Sequence, residues 1–294
     1  MQIGPTHILD TYAEAFRMRY TRLLVTAADA HWLHAGLQAL CGYGCSVIGC
    51  DAEIAVEQML PEGDSPDGRP AAAVMAFGFS TAALAKALPN RVGQCVMTCP
   101  TTAAYDGLTA AEERVPLGDR LRFFGDGFQK SKQLGARRCW RVPVMDGEFL
   151  CEDSMGVAKG VAGGNIILQG ATQACALEAA RRVSQALKDL PGVITPFPGG
   201  VVRSGSKVGS RYKQLVASTN HAHCPTLRGR VESELLPGAQ AAYEVVFNGQ
   251  DEQTVANATT CALHAAPGDG ILAIGAGNYG GKLGKFHFHL RKLV

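Results

Sequence analysis

The chain has 294 residues, 47% hydrophobic and only 18% charged, enough to bury two cores of ordinary domain size. A net charge of +2 without any block of like charge excludes the electrostatic footprint of a nucleic-acid binder. Met1 to Arg19 lacks a basic segment followed by an apolar one, and no apolar run reaches ~18 residues. The expectation is a soluble, cytoplasmic protein without membrane contact, whose ten cysteines are reduced thiols.

In chain order, Arg22 to Thr26 reads as a strand, and Asp29 caps a helix that stops near Gly42 and Gly44. Cys45 to Cys50 reads as a second strand. After the turn-rich stretch Pro61 to Pro70, Ala72 to Phe77 is a third strand. Ser80 then opens a helix ended by Pro89, and Val92 to Thr98 is a fourth strand. The order is βαββαβ.

The second half repeats it. Asn165 to Leu168 is a strand, and Ala176, Ala179, Ala180, Val183, Leu187 and Leu190 follow the spacing of one helix face. Pro191 and Gly192 stop that helix, and Val201 to Ser204 is β-like. Ala242 to Phe247 is a strand, Asp251 caps a helix reaching about Ala265, and Ile271 to Ala276 returns as a strand. From Lys285 to Leu290, Phe286, Phe288 and Leu290 alternate with His287 and His289, the period of a half-buried strand. The fold class expected is α+β, with two tandem ferredoxin-like (split βαβ) lobes over residues 1–147 and 148–294.

Five glycine-rich stretches fall where strands meet turns: Phe123 to Gly127, Gly160 to Asn165, Pro196 to Gly200, Ser204 to Ser210, and Gly275 to Lys282. Singly, each is a turn that uses the conformational freedom of glycine. Together they supply backbone N–H groups for a cleft. Ser204, Ser206, Lys207, Asn278 and Lys282 would add donors for an acidic, multi-carboxylate cofactor, and Asp126, Gly163, Gly164, Asn165 and Asn220 complete the candidate binding residues. None of the stretches has the strand-to-helix context or the Gly-Lys-Ser/Thr of a nucleotide loop.

His221 with His223, and His287 with His289, lack the spacing of familiar zinc sites and read as structural, so no metal is expected. The cysteines lie mostly in apolar runs and read as small buried hydrophobes. Among the acids, Glu244 stands out within Ala241 to Phe247, where Ala242, Glu244 and Val246 share one strand face. That face is either wet or covered. If it is covered, burial raises the carboxyl pKa and lets it donate a proton at neutral pH. Asp126 and the run Glu152, Asp153, Ser154 are further acidic candidates beside turns.

The segments FFGDGFQ (123–129), GVAGGN (160–165), PFPGG (196–200), SKVGS (206–210), ASTN (217–220) and GNYGGKLG (277–284) resemble the formylmethanofuran:tetrahydromethanopterin N-formyltransferase family. DTYAEAF (10–16), SPDGRP (65–70) and GQCVMT (93–98) extend the resemblance along the whole chain in order. It implies two ferredoxin-like lobes and a homotetramer, a dimer of dimers with the cleft at a subunit interface. It also implies formyl transfer between tetrahydromethanopterin and methanofuran or an analogue in a ternary complex, without metal or covalent enzyme intermediate. The family's catalytic glutamate lies in a Tyr-Glu-hydrophobic strand, a pattern carried here by Tyr243, Glu244 and Val245. The chain lacks the acidic excess of archaeal relatives, and it is similar to the transferase-type component of the bacterial formyltransferase/hydrolase complex. This similarity implies other subunits as partners and transfer from pterin to amine in one-carbon metabolism. Two alternatives stay open: a non-catalytic subunit that only holds or scaffolds a carrier, and a metal hydrolase built on the histidines.

Overall fold

The computed structural model describes residues 1–294 except Glu62 and Ser206. By contacts the chain gathers into two compact units, Met18–Gly160, and Met1–Arg17 with Val161–Val294. The chain passes between them inside two long strands, β1 (Tyr12–Thr26) and, further on, Ser154–Gly170. The division expected at Gly147 falls at the start of another strand, Gly147–Glu152.

In the Met18–Gly160 unit, β1 is followed by α1 (Ala30–Cys41), β2 (Glu53–Met59), β3 (Ala71–Gly78), α2 (Thr81–Arg91) and β4 (Ala103–Asp106). The sheet order is β4-β1-β3-β2, every pair antiparallel, which is the split βαβ arrangement. Asp29 caps α1 by accepting from the Trp32 N–H, and Ser80 caps α2 by accepting from that of Ala83. Leu33, Leu37 and Leu40 of α1, with Leu84 and Leu88 of α2, cover Leu23, Val25, Ala72, Val74 and Ala104 of the sheet. Outside β4, Gly147–Glu152 runs parallel to it, and two further antiparallel strands widen the sheet.

The other unit repeats the order with β5 (Ser154–Gly170), α3 (Gln173–Lys188), β6 (Val193–Ile194), β7 (Ala241–Gly249), α4 (Glu252–Ala265) and β8 (Ile271–Gly275). Its sheet is ordered β8-β5-β7-β6, again antiparallel. The helix face read from the sequence is the buried one: Ala176, Ala179, Ala180, Val183 and Leu187 pack on Ile166, Leu168, Val245 and Phe247. Thr6–Ile8 lies parallel beside β8, and β9 (Phe286–His289) pairs antiparallel with Tyr12–Ala15 of β1. Phe288 and Leu290 point inward while His287 and His289 are exposed, as the alternation predicts.

Three expected strands are corrected. Cys45–Cys50 is a turn closed by the Gly49 and Cys50 N–H groups on the Ser46 carbonyl, and β2 begins at Glu53. Val92–Val96 is a π-helical turn that prolongs α2 past Pro89. Val92 and Val96, four apart, bury on one side, so their spacing serves a helix as readily as a strand. The fourth strand is Ala103–Asp106 instead. Val201–Ser204 contributes only a single bridge, Val202 to Glu244, and Val193–Ile194 supplies the second strand of its sheet.

Candidate active site on the helix-free face of the second sheet

Register decides which side of β7 faces what. Val245 and Phe247 enter the core under α3 and α4, so Ala242, Glu244 and Val246 occupy the opposite face. That face is covered. Glu244 is only 5% exposed, opposite Ile167 on β5 and bridged on its other side to Val202. The cover is the long segment after β6, pinned where the buried Gln169 side chain donates to the Glu234 carbonyl (3.0 Å) and accepts from the Leu236 N–H (2.8 Å).

Glu244 lines a cleft of about 310 Å³, counting its open mouth, with Ser204, Gly205, Asn220, His223, Cys224 and Tyr243 among the other walls. His223 places Nε2 3.6 Å from Glu234 Oε2, and its Nδ1 has no hydrogen-bond partner among the described residues. Burial pushes the imidazole below its ordinary pKa, against the opposing pull of Glu234, and so favours the neutral ring.

Asn165 on β5 and Gly277 just after β8 lie beside the same carboxyl. Asn165, 5% exposed, donates from Nδ2 to the Gly277 carbonyl (3.2 Å) and accepts at Oδ1 from the Gly277 N–H (2.6 Å). A Cβ built on Gly277 would stand 3.6 Å from Glu244 Oε1, so this backbone lies within ordinary contact of the acid. From Gly277 the chain loops through Gly284 around Glu14, which is 1% exposed. Glu14 Oε2 accepts from the N–H groups of Tyr279 (2.7 Å) and Gly281 (2.8 Å), and Oε1 from those of Leu283 (2.7 Å) and Gly284 (2.6 Å). Burial alone would raise this carboxyl, but the four donors outweigh it and hold the pKa below the ordinary value.

Among the described residues, no group of three or more His, Cys, Asp and Glu is placed to hold a metal ion. His221 meets the Lys207 ammonium at 3.2 Å. The cysteines are free thiols. Burial raises Cys41 and Cys139 to about 11, the reverse of an activated nucleophile.

The description "Formylmethanofuran-tetrahydromethanopterin formyltransferase" matches residues 1–144, and "FTR, proximal lobe" matches residues 147–293. The chain belongs to this formyltransferase family. A relative of that name from Methylococcus capsulatus is 49% identical over all of both chains. One component of the formyltransferase/hydrolase complex of Methylorubrum extorquens is 45% identical, over 97% of this chain and 94% of that protein. The crystal structure of that complex with methylofuran contains a chain that superposes with a TM-score of 0.95 at 44% identity. The match covers 100% of this chain and 98% of that one.

Against the formyltransferase expectation, the candidate residues divide into groups. Glu244, Ser204 and Asn220 share the cleft; Asn165 is not in its wall and holds Gly277 beside the Glu244 carboxyl. Lys207 stands beside His221 in the covering segment. Asn278 and Lys282 lie on the Glu14 loop, where the Asn278 side chain donates to Thr11 Oγ1 and Lys282 is exposed. Gly163 and Gly164 do not line the cleft. A side chain at Gly164 would meet Phe247 and Val255, so this glycine serves packing against α4. Asp126 belongs to the other compact unit, at φ 51° closing the turn after Phe123. Ser206 lies outside the described residues. The acids Glu152 and Asp153 are engaged, accepting from Arg137 (2.6 Å) and from Trp140 Nε1 (2.6 Å). Sequence reasoning did not single out Glu14, and it read His223 as structural although the residue lines the cleft. The sequence signals that could have found Glu14 are its place between two alanines and within the DTYAEAF segment.

Proposed function

We propose that this chain transfers a formyl group between a tetrahydromethanopterin-type pterin and a methanofuran-type amine, with Glu244 as the proton donor. The observation that carries the reading is an almost fully buried carboxyl, 5% exposed, in the wall of a cleft that also offers Ser204, Asn220 and His223. The amine nitrogen attacks the N-formyl carbon, and its lone pair forms the new C–N bond while the carbonyl electrons move to oxygen. The tetrahedral centre then expels the pterin nitrogen, which takes up a proton as the attacking amine gives one up, so that no net proton is gained or lost. In its protonated form the Glu244 carboxyl donates toward the developing oxyanion from the wall of the cleft. Ser204, Asn220, Asn165, Lys207, Asn278 and Lys282 are the proposed carrier contacts, and Asp126, Gly163, Gly164 and Ser206 remain weaker candidates.

Transfer from pterin to amine, in the cytoplasm, is the proposed direction and setting. The proposed assembly is a homotetramer, a dimer of dimers. Association with the other subunits of a formyltransferase/hydrolase complex is part of the same reading, by analogy with the Methylorubrum extorquens relative. The lobes 1–147 and 148–294 are proposed as its two building blocks, in line with the two matched segments.

Purified chain, mixed with formylated pterin and methylofuran and nothing else, should exchange the formyl group. Glu244→Gln should keep the fold and lose about 10²–10³ in rate, the effect of deleting one transition-state donor. Wild-type rates in that variant remove Glu244 from the mechanism. No exchange by the wild-type chain alone favours the carrier-holding alternative.

A further inference from the structure

We infer that Glu14 is a positioning residue for carrier binding: its buried carboxylate holds the loop 277–284 in the one shape that presents Lys282 to an anionic group on a carrier. The inference rests on the transferase reading and adds to it a residue that touches no substrate. Both carboxylate oxygens are saturated by the four N–H groups of Tyr279, Gly281, Leu283 and Gly284 at 2.6–2.8 Å. Lys282 sits between two of those donors, with its own side chain exposed. The peptide groups on both sides of this cation are therefore fixed while its side chain is exposed.

The loop is tied at its other end as well. The Glu14 N–H donates to the Gly277 carbonyl (3.2 Å), the same peptide that Asn165 clamps next to Glu244. Gly284 completes the shape. A Cβ there would come within 2.7 Å of Glu14 Cγ, so no side chain fits where the loop closes on the acid. A carboxylate is required at position 14 because both of its ends must accept. Glutamine offers one accepting oxygen and turns an N–H₂ toward two N–H donors.

The test uses the full chain with tetrahydromethanopterin and methylofuran as probes, by exchange kinetics and by calorimetric binding. Glu14→Gln should raise KM and Kd for one carrier about tenfold or more while kcat stays within about threefold. Glu14→Asp, charged but one methylene short, should fall between that variant and the wild type. A purely structural role scales activity with the folded fraction and leaves both KM values alone, and that result overturns the inference. Should Glu14→Gln fail to fold, Lys282→Ala leaves all four hydrogen bonds intact and must weaken the same carrier, less at high salt than at low. Unchanged affinity in Lys282→Ala overturns the inference. Wild-type chain that binds a carrier but exchanges nothing defeats only the transferase reading. Wild-type chain that binds neither carrier defeats both.

Discussion

At the scale of single residues, the acids of this chain separate by what surrounds each oxygen. Glu14 and Asp67 are both withdrawn from water, and both carry compensating donors: four backbone N–H groups for Glu14, and Arg69, Thr26 and Tyr105 for Asp67. Burial pushes each carboxyl up, the donors pull harder, and the folded pKa ends below the ordinary value in both cases. The sign of the linkage follows. Each group stabilises the fold at pH values above the carboxylate pKa of the unfolded chain, and that stabilisation is lost as pH falls through the lower, folded value. Denaturant melts of wild type and Glu14→Gln should therefore differ at neutral pH and converge as pH falls through the lowered folded pKa of Glu14. A difference that keeps its full size in acid contradicts the assignment. Glu244 belongs to another kind of environment, the wall of a cleft, and its identity as a candidate was legible from Tyr243, Val245 and Phe247 around it. Its burial was not legible, because alternation separates the two faces of a strand without saying which of them is covered.

At the scale of elements, polar caps and periodic apolar residues carried reliable information. Asp29, Ser80, Thr172 and Asp251 all cap helices, each accepting from the N–H three residues on. Asp251 accepts from the Thr254 N–H and hydroxyl, both at 2.7 Å. Asp251→Ala should cost about 1 kcal/mol of stability, read by denaturant melting, with activity retained at temperatures where the variant stays folded. A loss within error would mean that α4 is held by packing alone. Two of the three misread elements share one cause. Val92 to Thr98 and Val201 to Ser204 carry valines whose β propensity suits a strand, and only the surroundings decide otherwise. Val193–Ile194, two residues long, is too brief to announce itself and becomes a strand because β7 offers it an edge.

At the scale of the whole molecule, the repeated β4-β1-β3-β2 and β8-β5-β7-β6 orders place a helix layer on one face of each sheet. In the second unit the free face receives the covering segment, and the cleft forms beneath it. No helix among the described residues is long and apolar enough to cross a membrane. Phe123, Phe124 and Phe128 stand 65%, 67% and 77% exposed around one turn, an apolar surface of the kind another chain covers. Light scattering on the purified protein should give four times the chain mass of 31.0 kDa. A single-chain mass would end the tetramer proposal.

The sequence by itself determined the element order, the inward faces of the helices and the acid worth testing, since periodicity, caps and turn residues are local properties of the chain. It also carried the family, because motifs spread over the whole length keep their order. Only tertiary structure decided that Glu244 is covered and that Asn165 holds Gly277 beside it. The same holds for Glu14, which gathers a loop some 265 residues away in sequence. Those outcomes depend on which distant peptide groups face a given oxygen, and that is settled by strand register and by the path of the connecting segments.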